Sequence, residues 1–426
     1  MKPRIFIAMH YMEIGGAESS LIGLLEALDP ERMDIDLFVY SHQGVFMNAI
    51  PGYVNLLPEI QSYSVIEKPM KEALQKGQVM VVLARLLARK QTQKYYKYVR
   101  DDRPHAANWG YLGKNLAVVL PSLHKYGEYN LAISYLNPHD IVLRNVKAKK
   151  YLAWIHTDYQ QISLNAELEL PVWDGYDKIV SISPDVTKSF VEVFPSLAGK
   201  ILECENMMPK RLISRCADEP LAYKNFKQEG VVTLCSIGRI GYAKNYDNVP
   251  YMARKLKDLS LELRERRTDE SSFKHYNLSL INSLDKEFKF HWYIVGPGDH
   301  SDIDTLAKKL GVDDVVTFLG PSDNPYPYIK NCDIYVHPSR YEGKSIVVRE
   351  AQMLCKPVII TNYSTARSQI NDGVDGIICE LDNEKIAEAI YELAVDKEKQ
   401  ELLIAYLKTH DNTGINEVEK IYKLLK

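Results

Sequence analysis

Three patterns are missing from this chain of 426 residues, and each absence removes a class of function. No run approaches the roughly 18 apolar residues that a membrane-crossing helix needs. The apolar stretch in the opening MKPRIFIAMHYMEIGG is about five residues long, short of a secretory leader's core, so a cytoplasmic protein is expected. The six cysteines (Cys204, Cys216, Cys235, Cys332, Cys355 and Cys379) form no C-x-x-C pair, which argues against a thiolate zinc site. Several lie in apolar runs such as VVTLCSIG and read as buried, reduced thiols. G-x-G-x-x-G is also absent, which disfavours a nicotinamide-dependent Rossmann enzyme. A net charge of −3 gives the whole chain no attraction for nucleic acid.

Short apolar runs alternate with helical patterns. Arg4–Met9, Ile35–Tyr40, Asn130–Ser134, Tyr151–Ile155 and Lys178–Ile182 read as strands, with an amphipathic stretch over Ala17–Leu28. A second series follows from Val231: Val231–Ile237, Phe290–Val295, Val315–Leu319, Asp333–Val336, Pro357–Thr361 and Gly376–Cys379, with helices over Asp302–Leu310 and Ser345–Leu354. Strand–helix alternation argues for parallel sheets, and two such series for two doubly wound α/β domains facing a cleft. The boundary is expected in the polar segment Asn206–Gly230, giving domains over 1–205 and 206–411, with a helix in 412–426 crossing back onto the first. The charged stretch Leu256–Lys286 reads as a surface insertion.

The strongest chemical signal is YVHPSRYEGKSIVVRE over Tyr335–Glu350. A strand gives way to a loop carrying Glu342-Gly343-Lys344-Ser345, and a helix starts near Ile346. Free N–H groups and the positive dipole end of a helix face an anion there. Glu342 and Glu350 stand eight positions apart, at most about 12 Å along a helix, so one can reach a sugar and the other a ribose. The competing reading is an exposed loop acid and a solvated helix acid. Ser236-Ile237-Gly238-Arg239, followed by Lys244-Asn245, sets two cations at a strand's carboxyl edge, where they suit a diphosphate; two solvated loop cations are the alternative. Gly15-Gly16-Ala17-Glu18 follows the first strand and permits close backbone approach to a ligand, or is a plain strand-to-helix turn. His156, in Trp154-Ile155-His156, ends a strand, a place where a lone histidine is more often structural. Two D-x-D sequences, Asp34-Ile35-Asp36 and Asp302-Ile303-Asp304, enter a strand and open a helix; no metal site is expected at either.

In order along nearly the whole chain, these elements resemble glycosyltransferase family 4 (group 1 type) and its GT-B relatives. The resemblance implies two Rossmann-like domains, a metal-independent transfer with retention, and no cofactor beyond the nucleotide-sugar substrate, with UDP the expected nucleotide. It assigns Glu342 to donor-sugar hydroxyls, Glu350 to the ribose, Gly238, Arg239 and Lys244 to the pyrophosphate, and His156 to the donor sugar. By the same resemblance Gly15 and Gly16 face the donor phosphates, Gly343, Lys344, Ser345 and Ile346 contact the donor, and Gly296-Pro297-Gly298 and Leu319-Gly320-Pro321 lie near the base. Lys344-Ser345 departs from the bulky apolar residues usual after the glycine and points to different donor contacts.

The expected acceptor is a glycan or lipid-linked glycan in cell-envelope polysaccharide synthesis. Arg85–Arg103, RLLARKQTQKYYKYVRDDR, carries seven basic and two acidic residues among leucines and tyrosines. Such a helix can lie on an anionic membrane, or bury its apolar face in the core. The rival functions are a GT-B epimerase or phosphorylase, and an inactive sugar-nucleotide-binding subunit of an assembly complex.

Overall fold

The computed structural model describes residues 2–13, 15–266, 288–342 and 345–425. The chain forms two compact units, Met1–Pro209 with Gly414–Lys426, and Lys210–Thr413. Helix Lys210–Ala217 lies inside the polar segment read as the boundary, and belongs to the second unit.

The first unit is built on seven parallel strands: β1 (Arg4–Met9), β2 (Asp34–Val39), β3 (Asn55–Leu56), β4 (Glu128–Ser134), β5 (Lys147–Ile155), β6 (Lys178–Ser181) and β7 (Ile201–Glu203), in the order β3-β2-β1-β4-β5-β6-β7. Ile5 to Met9 are all buried, on both faces of the strand, as a central parallel strand covered by helices requires. The edge strands β3 and β7 are two and three residues long and have no apolar alternation, so the sequence does not announce them. Asp36 anchors the sheet edge: its carboxylate accepts from Arg4 (2.8 Å), Tyr129 (2.6 Å) and Asn55 (2.7 Å). The final segment packs onto this unit as a short 3₁₀ turn, Ile415–Glu417, and helix Val418–Leu424. There Tyr422 Oη accepts from the Asp29 amide (2.8 Å), and the Arg32 guanidinium lies 3.6 Å from the Tyr422 ring centre.

The second unit has six parallel strands: β8 (Val232–Ile237), β9 (Phe290–Val295), β10 (Val316–Gly320), β11 (Ile334–His337), β12 (Val358–Thr361) and β13 (Ile377–Cys379), in the order β10-β9-β8-β11-β12-β13. Its core joins Leu234, Trp292, Ile294, Val336 and Ile359 of the sheet to Met252, Ala253 and Leu256 of helix Val249–Arg266. Leu256 is therefore core, not the start of a surface insertion; residues 267–286 of that stretch lie outside the described residues.

Helix Val79–Tyr98 spans most of the basic segment and has two apolar faces. Val81, Val82, Ala84 and Ala88 are buried in the first unit's core, while Val79, Met80, Leu83, Leu86 and Leu87 are exposed. Arg85 is engaged internally, donating to the Val65 and Lys68 carbonyls at 3.1 and 2.7 Å.

Candidate functional site

In the second unit the turns at the carboxyl ends of β8, β9 and β10 are tied together. The Gly238 amide donates to Val295 O (3.0 Å), Ile240 to Pro297 O (2.8 Å) and Gly296 to Gly320 O (2.8 Å). The β8 and β9 turns approach so closely that a Cβ on Gly296 would sit 2.0 Å from the Gly238 carbonyl oxygen, so this position needs glycine. The chain then makes a 3₁₀ turn over Tyr242–Lys244, and Asn245, buried and at φ 61°, closes it.

This turn aims Lys244 at Glu342. Its Nζ donates to Glu342 Oε1 at 2.5 Å. The same oxygen accepts from Ser339 Oγ (2.9 Å) and lies 3.1 Å from His337 Nε2. Burial raises the Glu342 carboxyl, but the hydrogen bond and charge supplied by His337 and Lys244 more than reverse this and hold it at about 2. Burial also pushes the His337 imidazole down. Arg340 locks the two loops. It makes a bidentate pair with Asp247 (2.8 and 2.7 Å), and its amide donates to Ala243 O (2.8 Å). A two-hydrogen-bond fork of this kind fixes geometry as well as supplying energy. Arg239 is exposed beside Gly238 and makes no ion pair with the described residues. A cation and carboxylate fixed at a sheet's carboxyl edge, with a second cation exposed beside them, can hold a phosphorylated, hydroxyl-bearing ligand.

Gly343 and Lys344 lie outside the described residues. Ser345 is buried, and its amide donates to Gln369 Oε1 (3.2 Å) while Gln369 Nε2 donates to the Ser345 carbonyl. Gln369 thus takes up one N–H at the start of helix Ile346–Met353, where Ile346 opens the first turn. Glu350 sits inside that helix, buried, accepting from Tyr326 Oη at 3.0 Å; burial pushes its carboxyl up to about 7. A cavity of about 540 Å³ in the same unit is lined by Tyr223, Leu319, Gly320, Pro321, Asn324 and Tyr328. Of the two loops that the family resemblance puts near the base, 319–321 is in its wall and 296–298 is not.

In the first unit, Gly15 precedes helix Gly16–Ala27, and a Cβ on Gly15 would meet the Glu18 carboxylate at 2.2 Å. His156 follows β5 with its Nε2 buried and unpartnered, and burial lowers its imidazole to about 4, so it is neutral at pH 7. Of the two D-x-D sequences, the first spends Asp36 on the sheet-edge network, and the second opens helix Ser301–Leu310, with Asp304 paired to His300 at 2.8 Å.

The sequence reading missed His337, Ser339, Arg340 and Gln369. The first three lie within the quoted YVHPSRYEG and carried a signal, a polar cluster at a strand end; Gln369 carried none.

Residues 219–410 match the family model described as Glycosyl transferases group 1. The matched stretch takes up most of the second unit, Lys210–Thr413. The Lys244–Glu342 pair and Glu350 all fall within it. Over a short segment the chain is 34% identical to N-acetylgalactosamine-N,N'-diacetylbacillosaminyl-diphospho-undecaprenol 4-alpha-N-acetylgalactosaminyltransferase of Campylobacter jejuni, covering 21% of this chain and 26% of that protein. It is 28% identical to the lipopolysaccharide core biosynthesis glycosyltransferase LpsE of Rhizobium meliloti, covering 28% and 35%. The matches thus span about a quarter to a third of these relatives' lengths. Anabaena HepE in complex with UDP and glucose has the same fold along 99% of both chains, with a TM-score of 0.59 and 13% identity. A glycosyltransferase from Rickettsia africae does so along 100% and 98%, at 0.58 and 15%. The fold is GT-B, and the stretch that matches the group 1 model lies in the second of its two Rossmann-like units.

Proposed function

We propose that the chain is a retaining glycosyltransferase that moves a sugar from a UDP-sugar to a glycan or lipid-linked glycan of the cell envelope. The observation that carries this reading is the half-buried pair of Lys244 and Glu342, set in the stretch that matches the group 1 model. The names of the relatives support the setting, and a neighbour of the same fold that was solved with UDP and glucose supports the donor. In the reaction, the bond from the anomeric carbon to the diphosphate oxygen breaks. The acceptor oxygen bonds to that carbon on the same face, and its proton passes to the departing diphosphate. Arg239 and Lys244 stabilise the charge that develops on the diphosphate. Glu342 holds a sugar hydroxyl, and Glu350 pairs with the ribose. Tyr223, Pro321 and Tyr328 wall the base pocket. With Arg239 and Lys244 as the cations at the diphosphate, transfer is expected to continue in EDTA.

Calorimetric titration of the purified chain with UDP, GDP and ADP in EDTA tests this reading. UDP is expected to bind most tightly, and Lys244→Ala to weaken it roughly tenfold or more, the loss of one charge-assisted contact. Binding of none of the three nucleotides overturns the donor assignment.

The same reading extends to a lipid surface. In helix Val79–Tyr98 the exposed Leu83 and Leu87 continue at helical spacing into the exposed Lys90, Lys94 and Lys97. An apolar stripe that runs into cations fits the boundary of an anionic bilayer. A Leu83→Ser, Leu86→Ser, Leu87→Ser variant is expected to lose most of its flotation with phosphatidylglycerol vesicles while keeping UDP affinity. Unchanged flotation, or no flotation of the parent chain, removes the membrane contact.

A further inference from the structure

Two cavities of the first unit, about 350 and 710 Å³, share His10, Tyr11 and Glu67 in their walls. His10 follows β1 and stacks on Tyr40, with ring centres 5.0 Å apart and planes at 19°. Its Nδ1 is paired with the Glu67 carboxylate, which fixes the ring's orientation. The other nitrogen, Nε2, is buried and has no hydrogen-bond partner. Burying a polar atom without a partner is destabilising. Three residues that carry such an atom line the smaller cavity: His10 (Nε2), Trp154 (Nε1) and His156 (Nε2). A wall built from three rings whose nitrogens lack partners suits a ligand rich in hydroxyl groups.

The charge around the cavities is one-sided. Glu13, Glu18, Glu67 and Glu72 line the larger, and Glu67 and Glu169 the smaller; burial raises the Glu18 carboxyl and pushes that of Glu169 up to about 7, so Glu13, Glu67 and Glu72 carry most of the charge. Lys68 is the one Lys or Arg among the lining residues, and its Nζ is 3.5 Å from Glu72. Tyr11 and Trp109 add flat apolar faces of the kind that pack against a sugar's C–H surface.

We propose that these cavities bind a polyhydroxylated acceptor sugar that carries no negative charge, with His10 Nε2, positioned by Glu67, contacting one of its hydroxyls. The inference rests on the transferase reading, because it takes the occupant to be the acceptor. A sugar with a carboxylate or phosphate at this place meets the carboxylates without a free cation to offset them, and is selected against.

The test uses the full chain and three probes, methyl glucoside, methyl glucosaminide and methyl glucuronide, read by saturation-transfer NMR and tryptophan emission, with UDP titrated into the same samples. The glucoside and glucosaminide are expected to bind, and the glucuronide at least about tenfold more weakly, the cost of one unfavourable charge contact. His10→Phe keeps the stacking and removes Nε2; it is expected to weaken glucoside binding about tenfold. Glu67→Gln keeps a hydrogen-bonding side chain and removes a charge, so it is expected to narrow the preference against glucuronide. This readout stands even if the His10 variant fails to fold. Glucuronide binding as tight as glucoside, an unchanged preference in Glu67→Gln, or no glycoside binding overturns the inference. A chain that binds UDP without this preference overturns the acceptor class alone. One that shows the preference but binds no nucleotide overturns the transferase reading.

Discussion

Glu342→Ala is expected to lower turnover by roughly 10²–10³-fold, the usual effect of removing one preorganised electrostatic contact to the reacting group. UDP affinity should not fall with it. In the free protein Glu342 neutralises Lys244 at 2.5 Å, so removing the carboxylate leaves Lys244 with its full charge for the diphosphate. The variant should bind UDP as tightly as the parent or more so, while transfer collapses. Lys244→Ala behaves differently: both turnover and UDP affinity fall, because the cation itself is gone. Steady-state rates of nucleotide release, set beside calorimetric UDP affinities, separate the two. Full turnover in Glu342→Ala, or parallel losses of affinity in both variants, removes Glu342 from the role proposed for it.

The second large effect is on stability. Asp36→Ala is expected to destabilise the first unit by about 3 kcal/mol, within the range for breaking a buried, multiply bonded carboxylate. It strips the partner from Arg4 (2.8 Å), Tyr129 (2.6 Å) and Asn55 (2.7 Å) together. Asp34, two residues earlier and exposed, is the control: its alanine variant should unfold within about 0.5 kcal/mol of the parent, as surface substitutions do. Urea unfolding followed by circular dichroism reads both. Equal effects at the two positions contradict the network account.

The ladder of strands was legible because buried parallel strands are written as unbroken apolar runs. RIFIAM and VTLCSI could be placed with little ambiguity, whereas the two-residue β3, paired through Asn55 and Leu56, carries no run to read. Lys244 and Glu342 were legible one at a time as a loop cation and a loop acid. That they bond to each other across 98 positions follows from β8 and β11 being sheet neighbours, which no local pattern states. The supporting polar residues were harder. Gln369 brackets Ser345 from 24 positions away, and the His10–Glu67 pair spans 57, so chain spacing carries no trace of either. The basic segment shows another limit. Periodicity marks a face as apolar, but Leu83 and Val82 look alike until the packing shows which is covered.

The last thirteen residues grip the first unit through Tyr422 on Asp29 and Arg32, and through Glu417, which accepts from the Glu205 amide at 2.9 Å. The order of synthesis and the order of completion therefore differ. A ribosome delivers residues 1–209 early, but their closing piece emerges only after the entire second unit. Until then the amide of Asp29 and the guanidinium of Arg32 lack their Tyr422 partner. A gene fragment cut at 209 would encode that unfinished state, and a faithful isolated unit needs residues 414–426 as well.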